Sequence, residues 1–412
     1  MKETKHNELK VRLHNKLTEI GQVLLESVDQ NEDVGVLGGS AGIALFHFYY
    51  SRFLDDDRDD QYIDKGSEVI TETFSKIQKG FSYPTFCDGI AGACWVFELL
   101  KEEKFIELQE DIITPELDHF LLEQMKTDIQ EGNYDFLHGA MGYGYYFLKR
   151  YQNATSKASK LNYKKYLFVL LDFLKETAIH QNNGMWWTSE IIVGEEKFKG
   201  CNLGLSHGVP SILNFLCRLG AYPDFYTVVQ RLLRGGAMHI LDCKHSNTEL
   251  TSTFSNWVTD GYQKEFTSRL AWCYGDLGIG ITLLRVGHFL EDKKITQEAI
   301  HILKRTTLRK DVKEALVKDA GICHGAFGIM HIYEHVFRTT KDPVFREAAN
   351  YWGEIGLDMD LYQDGLAGYK VHKGDHLKSE ESLLEGIAGI GLAILSYLSD
   401  TEAKWDESLL IG

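Results

Sequence analysis

Proline is scarce, with 5 residues in a chain of 412. So few breaks in backbone hydrogen bonding leave room for many helices, and no Pro-rich linker divides the chain into domains. Basic charge is in deficit as well. Lys and Arg total 44 against 60 for Asp and Glu, a formal charge of −16, so the basic footprint of nucleic-acid binding is missing. Long apolar runs are absent; a stretch such as 166–171 is far too short to span a bilayer. The first eight residues are charged and lack the apolar core of a secretory signal. An odd count of seven cysteines then argues against a disulfide framework and for reduced thiols, used in packing or metal binding. These absences lead to the expectation of a cytoplasmic protein.

Glycine is plentiful, at 38 residues, and it is patterned. A Gly-x-x-Gly followed by an apolar run begins at Gly39, Gly89, Gly139, Gly275, Gly325 and Gly386, and a seventh copy reads Gly208-Val-Pro-Ser211. Successive first glycines are 50, 50, 69, 67, 50 and 61 residues apart. The runs that follow, 43–50, 93–100, 143–148, 212–219, 279–290, 329–337 and 390–398, are apolar on nearly all sides, as buried helices are. Between them lie amphipathic segments with apolar residues three and four apart, such as Ile63, Val69, Ile70, Phe74 and Ile77. Others cover 9–28, 117–125, 166–179, 225–241, 295–303 and 344–357. Each repeat reads as an outer amphipathic helix, a loop and an inner apolar helix. Helix pairs that cannot bury their own faces must stack, and apolar inner helices all round favour a closed ring. The expected fold class is all-α: a single α/α toroid domain over 1–412 with seven helix-hairpin repeats. The wider spacings leave longer loops near 181–204, 242–268 and 359–384, the first a candidate for a short β-hairpin arm.

Chemistry gathers just upstream of the glycines. Cys87, Cys273 and Cys323 each fall two residues before a motif, and His138, His207 and His324 fall one before. Equivalent positions of a closed repeat converge at one mouth, where helix N-termini favour anions and thiolates. Cys323-His324 alone is a weak metal signal. With Cys273 from the preceding repeat it makes three ligands, the count of a catalytic zinc with an open position. Cys87 shares that register but is read as packing. Cys94, Cys201, Cys217 and Cys243 are read as structural, Trp272 and Tyr274 as cavity walls, and His138 as either a helix-end donor or a catalytic group. The acidic run 55–60 is read as a solvated loop.

Trp272-Cys273-Tyr274-Gly275, Cys323-His324-Gly325, Ser206-His207-Gly208, Tyr134-Asp135 and the glycine repeats together resemble the lanthionine synthetase C-like (LanC) family over essentially the whole chain. The departures are two: Ser211, where the fourth motif lacks its second glycine, and Cys87, which stands in a ligand-like register in the second repeat. The resemblance implies an α/α toroid and a stand-alone, zinc-dependent lanthipeptide cyclase of antibiotic biosynthesis. One Zn²⁺ would be held by Cys273, Cys323 and His324. His207 would be the acid/base, supported by Asp135 and Arg269. The substrate would be a dehydrated precursor peptide whose cysteine thiols add to dehydroalanine or dehydrobutyrine. The implied partners are a separate dehydratase and an exporter, so the enzyme would lie in the cytoplasm or at the edge of a membrane-associated complex. Two thiolate ligands suit thiol alkylation better than water activation. Three alternatives stand beside this reading: a relative that adds glutathione to dehydroamino acids, a zinc-stabilised peptide-binding scaffold, and an α/α-barrel glycosidase, which would need two facing carboxylates.

Overall fold

The structure, a computed structural model, describes residues 2–27, 31–54, 60–107, 113–193, 196–247, 249–259, 266–400 and 404–412. Most of the acidic run, 55–59, therefore lies outside the described residues. In chain order the helices and strands begin with α1 (Lys2–Glu26), α2 (Ser40–Leu54), α3 (Asp60–Gln78), α4 (Ile90–Glu102), α5 (Pro115–Glu131), α6 (Ala140–Asn153) and α7 (Lys157–Thr177). Strands β1 (Ile179–Gln181), β2 (Gly184–Trp186), β3 (Thr188–Val193) and β4 (Glu196–Asn202) follow, then α8 (Val209–Gly220), α9 (Pro223–Asp242) and β5 (Trp257–Thr259). The rest are α10 (Asp276–Phe289), α11 (Lys293–Thr306), α12 (Ala326–Thr340), α13 (Pro343–Leu357), β6 (Val371–Lys373), β7 (His376–Lys378) and α14 (Ile387–Leu398), with a 3₁₀ turn at Lys404–Leu409.

Even-numbered helices are the inner ones, and each begins at a glycine motif. In α14 every residue from Ile387 to Tyr397 is buried, whereas α11 buries one stripe, Ile295, Ala299, Ile302, Leu303 and Thr306. The two classes start differently. Outer helices α11 and α13 use side-chain caps: Asp292 accepts the amides of Lys294 and Ile295, and Asp342, directly before Pro343, accepts that of Val344, whereas α9 starts after Tyr222 without one. Inner helices α4, α8, α10, α12 and α14 are capped by glycine without a side-chain bond.

The motif's spacing follows from a loop that folds back on the helix it precedes. The residue six before the first glycine accepts the amide one after it: Ser40 on Asp33, Ile90 on Tyr83, Ala140 on Asn133, Ala326 on Asp319 and Ile387 on Glu380. That fold-back presses a carbonyl onto the second glycine. A Cβ at Gly42, Gly92, Gly278, Gly328 or Gly389 would lie within 3 Å of the carbonyl six residues upstream. Ser211 takes this place in the fourth repeat, where α8 still starts directly after Gly208 and carries Pro210 in its first turn.

The chain divides into two compact units, one of residues 1–124, 149–155 and 318–412, the other of 125–148 and 156–317. In the first, inner helices α12, α14, α2 and α4 lie side by side in that order, and α1 packs on α13 and α14. Their loops are chained by backbone hydrogen bonds: Leu37 and Gly38 donate to Cys87, Leu384 donates to Leu37, and Ile322 and Cys323 donate to Leu384. In the second unit α10 packs on α8, joined by a buried bond of 2.7 Å from Asn214 Nδ2 to Thr282 Oγ1. Arg218 Nε donates to Tyr145 Oη at 2.9 Å and ties α8 to α6. The tightest helix hairpins join an inner helix to the outer helix after it, in α2–α3, α8–α9, α10–α11 and α12–α13.

The segment near 181–204 forms more than one arm. A small hairpin, β1–β2, precedes a three-stranded antiparallel sheet in the order β3-β4-β5, with Glu190 opposite Lys199 and Asn202 opposite Trp257. The 359–384 loop holds a separate hairpin, β6–β7.

Candidate active site

The second unit contains a cavity of about 710 Å³. Asp135, His207, Asn202, Tyr274, Trp187 and Trp257 are among the residues that line it. Asp135 sits in the loop before α6 and His207 in the loop before α8, and both loops begin with the same turn. The Asn133 side-chain oxygen accepts the Asp135 amide at 3.2 Å, and that of Asn202 accepts the Gly204 amide at 2.8 Å. The turns bring His207 Nδ1 to 2.6 Å from Asp135 Oδ2, while Asp135 Oδ1 accepts the His138 amide at 2.7 Å. A carboxylate can only accept, so Nδ1 carries the hydrogen and Nε2 is the reactive nitrogen of neutral His207.

Two effects compete at this imidazole. Burial disfavours its charged form, but the hydrogen bond and charge of Asp135, with a smaller contribution from Cys273, outweigh it and raise the pKa above the ordinary histidine value. The ring lies between two others. His138 is nearly parallel to it at 6.3 Å between centroids, and Tyr274 is tilted at 6.2 Å. His138 thus has a role for its amide, in holding Asp135, and a ring beside the acid/base candidate. Upstream, Tyr134 is buried and its hydroxyl donates to the Trp187 carbonyl at 3.2 Å and pairs with Ser189, which fixes the strand wall beside Asp135.

The loop before α10 carries Arg269 and Cys273. Cys273 is buried, and its carbonyl accepts the amide and hydroxyl of Ser206, each at 3.3 Å, so it is anchored beside His207. Arg269 is half-buried and makes no side-chain hydrogen bond or ion pair among the described residues; it is not one of the cavity's lining residues. Its carbonyl crowds Gly275, whose φ of +96° is a conformation suited to glycine. Asp276, the next residue, is fully buried and accepts the amides of Thr253 at 2.7 Å and Phe254 at 3.1 Å. Its carboxylate is engaged in holding the long loop before β5 and is not presented as an acid.

In the first unit, Cys323 and His324 are adjacent in the loop before α12. His324 Nε2 faces the buried carboxylate of Asp319 at 3.6 Å. Asp319 also accepts the amides of Gly321 at 3.2 Å and of His372, in β6, at 3.3 Å. Glu385, directly before α14, is ion-paired with Lys373 of the same hairpin. Asp319 escaped sequence reasoning, as did Asn202. The signal was available in register, since both stand six residues before a motif glycine. Among the described residues no disulfide joins any of the seven cysteines.

Set beside known proteins, residues 31–410 match the model of the family described as lanthionine synthetase C-like protein. The chain belongs to the lanthionine synthetase C-like family. A solved structure titled nisin cyclase superposes with a TM-score of 0.68 at 18% sequence identity, covering 100% of this chain and 98% of that one. At that identity the likeness shows the fold, and it is the all-α α/α toroid expected from the glycine repeats. The inner helices follow the glycine motifs, and no helix among the described residues is long and apolar enough to cross a membrane.

Proposed function

We propose that this chain is a zinc-dependent lanthipeptide cyclase, which adds cysteine thiols of a dehydrated precursor peptide to dehydroalanine or dehydrobutyrine and closes lanthionine and methyllanthionine rings. One observation carries the reading: an imidazole oriented by a carboxylate at 2.6 Å lines a peptide-sized cavity in a chain of this family.

Cys273, Cys323 and His324 are the proposed metal ligands. Two thiolates and an imidazole suit zinc, and three protein donors leave a position for substrate. The surroundings of His324 fit this use. Histidines that bind metal commonly turn their other ring nitrogen to a carboxylate, and Nε2 faces Asp319, which leaves Nδ1 for the metal. Zinc bound there supplies the positive charge that converts a thiol with a pKa of about 8.5 to thiolate at neutral pH.

The chain's own residues do the rest. The thiolate attacks the β-carbon, and negative charge develops on the carbonyl oxygen of the dehydro residue. Arg269, always cationic, stabilises that enolate or holds the peptide backbone. His207 delivers a proton from Nε2 to the α-carbon, while Asp135 holds the Nδ1 hydrogen and stabilises the imidazolium form. Trp257 and Tyr274 form part of the cavity wall against which the peptide would lie. The enzyme would act in the cytoplasm, after a separate dehydratase and ahead of an exporter.

Zinc content by plasma mass spectrometry and cyclisation of a dehydrated peptide test this together. Wild type should hold about one zinc per chain, and Cys323→Ala should lose it. His207→Ala should keep zinc and lose about 10²–10⁴-fold in rate. Cyclisation consumes a thiol without changing mass, whereas added glutathione would raise the mass. Wild type without zinc, or a fully active His207→Ala, sinks the mechanism.

A further inference from the structure

Three loops of this chain close the same turn with the residue six before the motif glycine, and they differ in one atom. Asn133 and Asn202 accept the amide two residues on through their single side-chain oxygen. Asp319 does the same for Gly321 through Oδ1, which leaves a second oxygen. The turn does not need that oxygen, as the two asparagines demonstrate. A buried carboxylate is also costlier to bury than an amide. With its side chain only 3% exposed, Asp319 bears that cost, and Oδ2 is directed at His324 Nε2, 3.6 Å away.

The same oxygen is fixed from the other side. The amide of His372 donates to it at 3.3 Å, and His372 is the middle residue of β6. The hairpin that carries His372 is fastened in turn by Lys373 on Glu385, at the start of α14, and by Lys378 on Glu380 at 2.9 Å. The carboxylate is therefore gripped by its own turn and by the β6–β7 hairpin, and its remaining direction is toward the imidazole.

We propose that Asp319 is a positioning residue for His324: it holds the Nε2 hydrogen, so that Nδ1 is offered as a ligand in one tautomer and one ring orientation, and the β6–β7 hairpin is the strap that keeps it in place. This rests on the zinc reading above. Asp319 does not itself touch metal or substrate.

Asp319→Asn tests the effect. Asparagine closes this turn in two sister loops, so the turn is retained, but its amide group replaces the oxygen that accepts the His372 amide and faces His324, so a donor meets a donor at both. The experiment titrates zinc against a competing chelator at fixed pH in wild type, Asp319→Asn and Lys373→Met, and records the melting temperature of each metal-free protein. Cobalt(II) substitution adds an absorption spectrum that reports the ligand field. Asp319→Asn should bind zinc about 10–100-fold more weakly with an altered cobalt spectrum, while the metal-free melting temperature falls by no more than about 4 °C, the loss of the single His372 hydrogen bond. Lys373→Met, which loosens the strap and also removes a positive charge that interacts with Cys323, should lose at most about fivefold. Wild-type affinity in Asp319→Asn overturns the proposal while leaving the zinc reading intact. A metal-free melting temperature that falls further than this assigns Asp319 to the turn and also overturns it. Wild type that binds no zinc removes the reading and the proposal together.

Discussion

Asp135 divides its carboxylate between the His138 amide and the His207 ring, and that division sets the acid/base behaviour of the site. Burial alone would lower the His207 pKa; the carboxylate reverses the sign. The ion pair therefore stabilises the fold below the ordinary imidazole pKa and is lost as pH rises through the raised value. A histidine that delivers a proton must be protonated, so activity should fall as pH climbs through that same value. In Asp135→Asn the partner's charge is gone and burial wins. The alkaline limb of the pH–rate profile should move to lower pH, read from cyclisation rates across the neutral range. A limb that stays in place would detach Asp135 from His207. Much of this site was legible in residue types and register: histidines before motif glycines, cysteines one step earlier. What the sequence concealed was engagement. Asp276 looks like a mouth carboxylate, yet it is consumed by two backbone amides. Arg269 occupies the register of Asn202 and Asp319 but cannot close their turn, and there Gly275 takes its positive φ instead.

At the scale of the element, glycine does the work of a fold-back loop. The second motif glycine lies under the carbonyl six residues upstream, so a methyl group must displace backbone, which moves less readily than a flexible side chain. Gly389 is the clearest case, because a Cβ there meets both the Leu383 carbonyl and Ile322. Gly389→Ala should cost about 1–3 kcal/mol by urea denaturation. Gly374, a turn glycine with open space around it, offers a control where alanine meets no atom and pays only for its φ of +61°. The inner helices were readable because glycine marks their starts and apolar residues fill all sides. The strands were less so. β1, β2, β5, β6 and β7 have three residues each, too short for an alternation to register, and the sheet pairs β4 with β5 across an intervening helix pair. Nor did amphipathicity reveal which outer helix pairs most tightly with each inner one. For α2, α8, α10 and α12 the answer is the helix that follows, and for α10 and α12 the connection is short, with Asp292 and Asp342 capping the next helix at once.

At the scale of the molecule, order in space departs from order in sequence. In the first unit the last inner helix, α14, lies between α12 and α2, and its loop passes hydrogen bonds from Leu37 on one side to Ile322 and Cys323 on the other. Helix α1 also rests on α14. Deleting residues 386–412 should therefore abolish the cooperative thermal transition, since α1 and α2 lose an apolar partner buried along nearly its whole length. Shortening the β6–β7 turn at 374–375 should leave that transition in place. Circular dichroism on the two variants distinguishes them. The same placement bears on how the protein is made. A ribosome delivers α1 and α2 well before α14, so these helices wait through the synthesis of the intervening repeats with an uncovered apolar side. Contacts this distant in sequence form slowly, and during the wait the nascent chain is open to aggregation. The seam between α14 and α2 thus makes the arrival of α14, more than any local step, the event that commits this unit to its native state.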